Sequence, residues 1–214
     1  MYSFSPNMLK TFHTCSQKFR FMYILGMNVP QNASLFEKGK KVHALANYYL
    51  KGSEVAKLEE DLTEDEKIVW QRLKTNEYFQ KKFVNSEYNL SCKIGDYHAG
   101  GRIDAIVKDD ENIYILDYKT GAVPKEPDYQ KAVYLLCVNE FYKLNCKNLY
   151  FVYIDLKNEK NHITEFDIDK KLQYEQLIKT ICENIENSNE ETLVNKSENC
   201  KYCEYERFCN CMFL

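Results

Sequence analysis

Two aspartates and a lysine lie close together in the segment GGRIDAIVKDDENIYILDYKTG, residues 100–121: Asp104, then Asp117, then Lys119 two residues further on. Side chains alternate along a strand, so Ile113, Ile115, Asp117 and Lys119 share one face, and Asp104 shares a face with Ile106. A turn over Asp109 to Asn112 brings both acidic groups near the same end of one hairpin. Two carboxylates held together at neutral pH repel one another unless something compensates. A divalent cation compensates them, and oxygen ligands suit Mg²⁺ or Mn²⁺. Lys119 adds a cation that can orient a water or stabilise charge on a phosphorus centre, so the set fits metal-dependent phosphodiester hydrolysis. The plainer reading of the same residues is a polar strand end, with Asp117 and Lys119 as a surface pair worth little. Gly100 and Gly101 permit a bend or a close backbone approach just before Asp104.

A second group of reactive residues closes the chain. Cys200, Cys203 and Cys209 form C-x2-C-x5-C, Cys211 follows, and Cys15 stands at the opposite end. The start, MYSFSPNMLKTFHTC, lacks the basic region and apolar core of a secretory signal. The expectation is therefore a reducing compartment, the cytoplasm, where clustered cysteines ligate metal rather than form disulfides. Three thiolates need a fourth ligand from elsewhere. The residues alone leave zinc and an iron–sulfur cluster both open. Cys92, Cys137, Cys146 and Cys182 read as small core residues.

The elements that must position these groups follow from periodicity. Apolar residues Leu9, Phe12, Phe19 and Tyr23 predict a helix from Pro6 to about Leu25, with Ser5 as N-cap. A second helix ends near Gly52, and a third runs from Thr63 to about Gln80, opened by a Thr63/Glu66 capping box. Residues 86–120 then alternate as three antiparallel strands. A helix over 128–144, strands over 148–156 and 161–168, and a helix from Asp169 to about Ser188 complete the order. The fold class is α+β (mixed α/β) around one mixed sheet, with an N-terminal helical portion. One domain over 1–214 is expected, with the helical portion at 1–80, the core at 85–170 and the helix and Cys tail at 171–214. No apolar run approaches the ~20 residues of a membrane span. A net charge of -3 gives no bulk signal for nucleic acid but leaves room for a local basic groove.

Taken in order, G-x-x-D (Gly101 to Asp104), an apolar strand and D-x-K-T-G (Asp117 to Gly121) resemble the nuclease core of the PD-(D/E)xK superfamily, most closely its RecB-like branch. That branch also carries a helical histidine and a Q-x-x-x-Y motif, matched here by His43 and by Gln130 with Tyr134. The resemblance implies a restriction-endonuclease-like core in which His43, Asp104, Asp117 and the carbonyl of Tyr118 ligate the metal. It implies that Lys119 positions and polarises the water, and that Gln130 and Tyr134 contact DNA or shape the site. Glu87 matches a family position at the start of the sheet. Read without the family, His43 faces the core with Phe36, Gly39, Ala46 and Leu50, and Tyr134 is a packing residue.

The cysteines match an iron–sulfur subgroup of the same branch, which includes CRISPR-associated exonucleases and AddB-type nuclease domains. The resemblance implies a 4Fe-4S cluster on Cys15, Cys200, Cys203 and Cys209, clasping the two ends of the chain; Ser16 replaces the subgroup's usual proline. It further implies an exonuclease acting on DNA, with single-stranded ends preferred, and CRISPR integrase or recombination proteins as partners. A noncatalytic DNA-binding or adaptor protein that keeps the fold is the alternative, and a zinc-stabilised domain unrelated to nucleases a third. Cations expected to serve DNA are Lys38, Lys40 and Lys41 near His43, Lys18 and Arg20 near Cys15, and Lys125 and Lys131 after the lysine strand. Tyr48, Tyr49 and Tyr118 could stack on bases or pack.

Overall fold

The computed structural model describes residues 3–29, 34–142, 148–188 and 198–211. Its elements, in chain order, are β1 (Ser3–Phe4), α1 (Pro6–Thr14), α2 (Ser16–Phe19) continuing into a π-helical turn (Arg20–Ile24), α3 (Ser34–Leu50), α4 (Ala56–Glu60) and α5 (Glu64–Lys74). Then come β2 (Lys82–Ile94), β3 (Tyr97–Asp109), β4 (Asn112–Lys119), α6 (Tyr129–Phe141), β5 (Asn148–Asp155), β6 (Lys160–Phe166) and α7 (Ile168–Glu186). A 3₁₀ turn (Glu198–Tyr202) and α8 (Glu206–Cys211) form the tail.

One mixed sheet runs β1-β3-β4-β5-β6, with β2 on the other edge of β3. The hairpins β2–β3 and β3–β4 are antiparallel, and β4 and β5 are parallel. A parallel pair needs a crossover, and α6 supplies it. This is the mixed α/β sheet expected from the alternation.

Helices cover both faces. On one face Ile103, Ile106, Ile115 and Phe151 pack with Leu9 of α1, Val133 of α6 and Ile178 of α7. On the other, Ala105, Val107, Leu116 and Ile154 pack with Leu45 of α3 and Trp70 of α5. Strand β4 is therefore apolar on both sides, as a central strand must be. Asp117 interrupts that run while only 2% exposed.

Two helix expectations are corrected. The span from Pro6 to Leu25 is not continuous: Cys15 is extended (φ -160, ψ 107), ending α1 and capping α2 by accepting the Lys18 N–H on its Sγ at 3.4 Å. Apolar spacing carries through such a break, because Phe19 of α2 still packs edge-on against Phe12 of α1, ring centroids 5.3 Å apart. The helix from Thr63 stops at Lys74 rather than near Gln80, since Thr75 Oγ1 bonds back to the Gln71 carbonyl and Asn76 turns the chain. Before it, α4 forms an extra short helix. The Ser5 N-cap and the Thr63/Glu66 capping box are as expected. Cys92, Cys137 and Cys182 are buried as expected, Cys146 lies outside the described residues, and only the backbone of Cys211 is described. None of the described helices is long and apolar enough to cross a membrane.

Candidate active site

The β3–β4 ladder ends at the pair Ala105–Leu116. Beyond it the strands fork, and Asp104 and Asp117 sit at the fork. Asp104 Oδ2 accepts the Tyr118 N–H at 3.0 Å, replacing the lost ladder bond. The imidazole of His43, from α3, spans the same gap: Nδ1 is 3.2 Å from Asp104 Oδ1 and Nε2 is 3.1 Å from the Tyr118 carbonyl oxygen.

The neighbouring hairpin bends at the same level. On β3, Ala99 and Ile103 face the α6 layer, whereas Ala105 and Val107 face the α3 layer. The alternation therefore breaks at Asp104. On β2, Leu90 and Cys92 face the α6 layer, whereas Ser86 bonds Asn47 of α3. Between them Glu87 takes a left-handed backbone, φ 49, which costs a non-glycine residue about 1–2 kcal/mol. The bend brings the Glu87 carboxylate to the fork, and ligand atoms of His43, Glu87 and Asp104 all lie within 4.8 Å of one another. Glu87 also accepts an ion pair from Arg102 at 2.8 Å.

On the α6 side, Gln130 ties two groups together. Its amide nitrogen donates to Asp117 Oδ1 at 2.6 Å, and its carbonyl oxygen accepts from Lys119 Nζ at 3.0 Å. Lys119 Nζ lies 2.6 Å from Asp117 Oδ2 and 5.2 Å from the Tyr153 ring centroid. Asp117 Oδ2 nevertheless has no aligned hydrogen bond, so a lone pair of a buried carboxylate is left over. Burial, with the Asp104 charge, pushes Asp117 up to about 7 against the pull of Lys119 and His43. Burial alone would favour neutral His43, but its bond to Asp104 and the charges of Asp104 and Asp117 hold it above its ordinary value. A group of acids and an imidazole that shares extra protons is the electrostatic condition a cation relieves. Three oxygen or imidazole donors within reach, and one spare buried carboxylate lone pair, fit a hard divalent ion.

The start of α6 is fixed by Asp128, its N-cap, which accepts the Lys131 N–H at 3.1 Å and the Tyr153 hydroxyl at 2.7 Å. That holds Gln130 in place. One turn on, the Tyr134 hydroxyl donates to the Arg102 carbonyl at 2.7 Å, and its ring lies where a side chain on Gly101 would be. Tyr134 is thus both a packing residue and a clamp on the strand that carries Asp104. Asp128 and Arg102 were not singled out by sequence. An Asp preceding the apolar run of α6 is an N-cap signal, but nothing in the sequence marks Arg102.

Several expected DNA-binding groups are committed elsewhere. Lys18 pairs with Glu204, Lys41 with Glu66 and Lys131 with Glu126. The Tyr118 ring is 3% exposed and packs on Phe79 and His43, and Tyr49 packs on Trp70 and Phe79. These two rings support the core; Tyr48 is exposed. The side chain of Lys38 lies outside the described residues.

At the chain ends, Phe21 stacks on Tyr205 with centroids 5.5 Å apart, and the Tyr205 hydroxyl donates to the Met27 carbonyl at 2.9 Å. These contacts carry the tail to the α1–α2 junction. The Cys209 thiol is raised by burial first, and then by the charges of Cys15, Cys203 and Cys200 on the same side of the fold. These four half-buried thiols are of the type that ligates a soft metal or an iron–sulfur centre.

A family model for the PD-(D/E)XK nuclease superfamily matches residues 3–210. Over 128 residues the chain is 33% identical to the CRISPR-associated exonuclease Cas4 of Francisella tularensis subsp. novicida (strain U112). That match takes in 58% of this chain and 62% of the relative, so it spans less than two thirds of that protein's length. A solved candidate exonuclease from Eubacterium rectale shares the fold, with a TM-score of 0.53 over 95% of this chain and 86% of that one at 14% identity. The family match runs from β1 through the cysteine tail and takes in the whole fork, and on it the chain belongs to the PD-(D/E)XK nuclease superfamily.

Proposed function

We propose that the chain is a single-domain, Mg²⁺- or Mn²⁺-dependent exonuclease that hydrolyses DNA from single-stranded ends and carries a 4Fe-4S cluster on Cys15, Cys200, Cys203 and Cys209. The observation that carries the reading is the convergence of His43, Asp104, Asp117, Lys119 and Gln130 at the fork where β3 and β4 part. A divalent cation bound there would supply Lewis-acid polarisation of the phosphate and neutralise the carboxylates.

The protein's own groups do the rest. His43, Asp104, Asp117 and the Tyr118 carbonyl would hold the cation, with Glu87 alongside. Lys119 is paired with Asp117 and aimed by Gln130, so its ammonium can orient a water toward phosphorus and stabilise the extra negative charge of the transition state. Tyr134 holds the Asp104 strand against α6. The likeness to a CRISPR-associated exonuclease supports a place in spacer processing alongside an integrase, with phage or host recombination as the other setting. The C-x2-C-x5-C spacing, and the contacts of Lys18 with Glu204 and Phe21 with Tyr205 that join the two cysteine-bearing ends, support the cluster.

End-labelled single-stranded DNA incubated with anaerobically purified wild type and Lys119→Ala tests the reading. The expected result is shortening by wild type with Mn²⁺ or Mg²⁺, none with EDTA, and at least a 100-fold loss in the variant. Folded protein that binds DNA yet never cuts under any metal condition would replace this reading with a noncatalytic DNA-binding role.

A further inference from the structure

A cleft of about 420 Å³ opens beside the fork, between the start of α1 and the loop that leads from β4 to α6. This volume is in the range of sites that hold a small organic group, roughly 300–1,000 Å³. Asp104 and Gln130 line both the cleft and the active site, so the two are continuous. The walls carry the rigid apolar Pro6, Pro124 and Pro127, the amides of Asn7 and Gln130, which are bonded to Tyr23 and to Asp117 with Lys119, and three cations: Lys10, Arg102 and Lys125.

The three cations are not equivalent. Arg102 is engaged with Glu87. Lys10 and Lys125 are exposed, stand on opposite walls, and have no carboxylate partner among the described residues. Of the carboxylates lining the cleft, Asp128 is committed to the cap of α6 and Tyr153, and Asp104 to His43 and Tyr118. Two unneutralised ammonium groups facing one cleft, next to a site read as attacking phosphorus, are a backbone-phosphate signature. Proline surfaces that accept a sugar or a base face, beside amides already committed within the protein, suit sequence-tolerant single-strand binding.

We propose that this cleft is the subsite for the nucleotide adjoining the scissile phosphate of a single DNA strand, with Lys10 and Lys125 each pairing with a backbone phosphate. This rests on the nuclease reading of the neighbouring fork. It assigns the strand's path to the α1 side of the fork rather than to the lysines of α3.

The test is the salt dependence of binding. A fluorescein-labelled oligothymidylate is titrated with wild type, with Lys10→Ala/Lys125→Ala, and with the control Lys171→Ala/Lys179→Ala on α7, in EDTA over a range of salt concentrations. Each lost phosphate pairing removes about 0.7 from the slope of log K against log salt for a single strand. The cleft variant is therefore expected to lose about 1.4 while the control keeps the wild-type slope, and both should melt with wild type because the removed groups are exposed. An unchanged slope in the cleft variant, or an equal loss in the control, overturns the subsite while leaving wild-type cleavage standing. A wild type that neither binds nor cuts DNA overturns the nuclease reading and the subsite together.

Discussion

Asp104 takes the place of a β-ladder bond: its Oδ2 accepts the Tyr118 N–H at 3.0 Å where the strands have parted. One carboxylate therefore has two jobs, holding the fork closed at its root and presenting its other oxygen to His43. Asp104→Asn keeps an oxygen for the Tyr118 N–H but loses the charge, whereas Asp104→Ala loses both. Both variants should lose activity by at least 100-fold in the end-labelled assay. Only the alanine variant should lose stability, by about 1–3 kcal/mol for an orphaned buried N–H, read by urea unfolding. Equal stability of the two would show that the hydrogen bond does not hold the fork.

The two glycines before Asp104 differ in what surrounds them. A methyl group on Gly100 would meet the Leu90 carbonyl oxygen at 2.4 Å and the Ser91 Cα at 2.7 Å, main-chain atoms of the paired strand that cannot move alone. On Gly101 it would meet the Tyr134 ring at 3.0 Å and Pro6 at 3.3 Å, side chains with a little freedom. Gly100→Ala should cost about 3 kcal/mol or more and Gly101→Ala about 1 kcal/mol, the usual span of overpacking. Tyr134→Phe, which removes the hydroxyl that donates to the Arg102 carbonyl and neighbours Gln130, should cost about 1 kcal/mol. If Gly100→Ala melts with wild type, the close β2–β3 approach is wrong.

The fork makes the metal-free protein sensitive to pH. Burial and Asp104 raise Asp117 to about 7, and His43 is also raised, so the folded protein binds more protons than the unfolded chain. Stability from these groups is fully present below their unfolded values, near 4 for an aspartate, and is lost as pH rises through the folded ones. The depressed carboxylates, such as Asp109 and Glu66, are ionised in both states across this window and contribute no slope. In EDTA, stability should fall by on the order of 2–3 kcal/mol from pH 5 to 8. Asp117→Asn should flatten that fall. Added Mn²⁺ should remove it, since a cation favours the deprotonated site, and should release protons near pH 6.5. A flat or rising stability curve in EDTA would falsify the account of Asp117.

How much of this was legible beforehand depended on the range of the forces involved. The β3–β4 hairpin and its acidic end follow from local alternation and a turn cluster, which neighbouring residues impose on one another. The family motifs picked out His43, Gln130 and Tyr134, whose partners lie 75, 13 and 32 residues away. The break at Cys15 was hidden because Phe12 and Phe19 on either side of it still pack on one another. The bend at Glu87 was hidden too, since a left-handed glutamate is held by the surrounding sheet against its own preference. Charge runs were the poorest guide: a lysine beside a site in sequence, such as Lys41 or Lys131, reaches as easily for a neighbouring glutamate as for a ligand.

The cysteine group offers the last prediction. Protein contacts already join the chain ends: Lys18 reaches Glu204 at 3.0 Å, and Phe21 stacks on Tyr205. A cluster on Cys15, Cys200, Cys203 and Cys209 would add a cross-link closing most of the chain, a constraint worth about 2–4 kcal/mol by comparison with disulfides. Cys15→Ser should therefore lose that much stability, together with the broad visible absorption and iron content of the anaerobically purified protein. Cys92→Ala, in the core at β2, should keep both iron and colour. The nuclease fork lies on other elements, so Cys15→Ser that still folds should keep some metal-dependent cleavage. Colourless wild type containing zinc would replace the cluster with a tetrahedral thiolate site. Iron retained in Cys15→Ser would show that the chain ends are joined by the protein contacts alone.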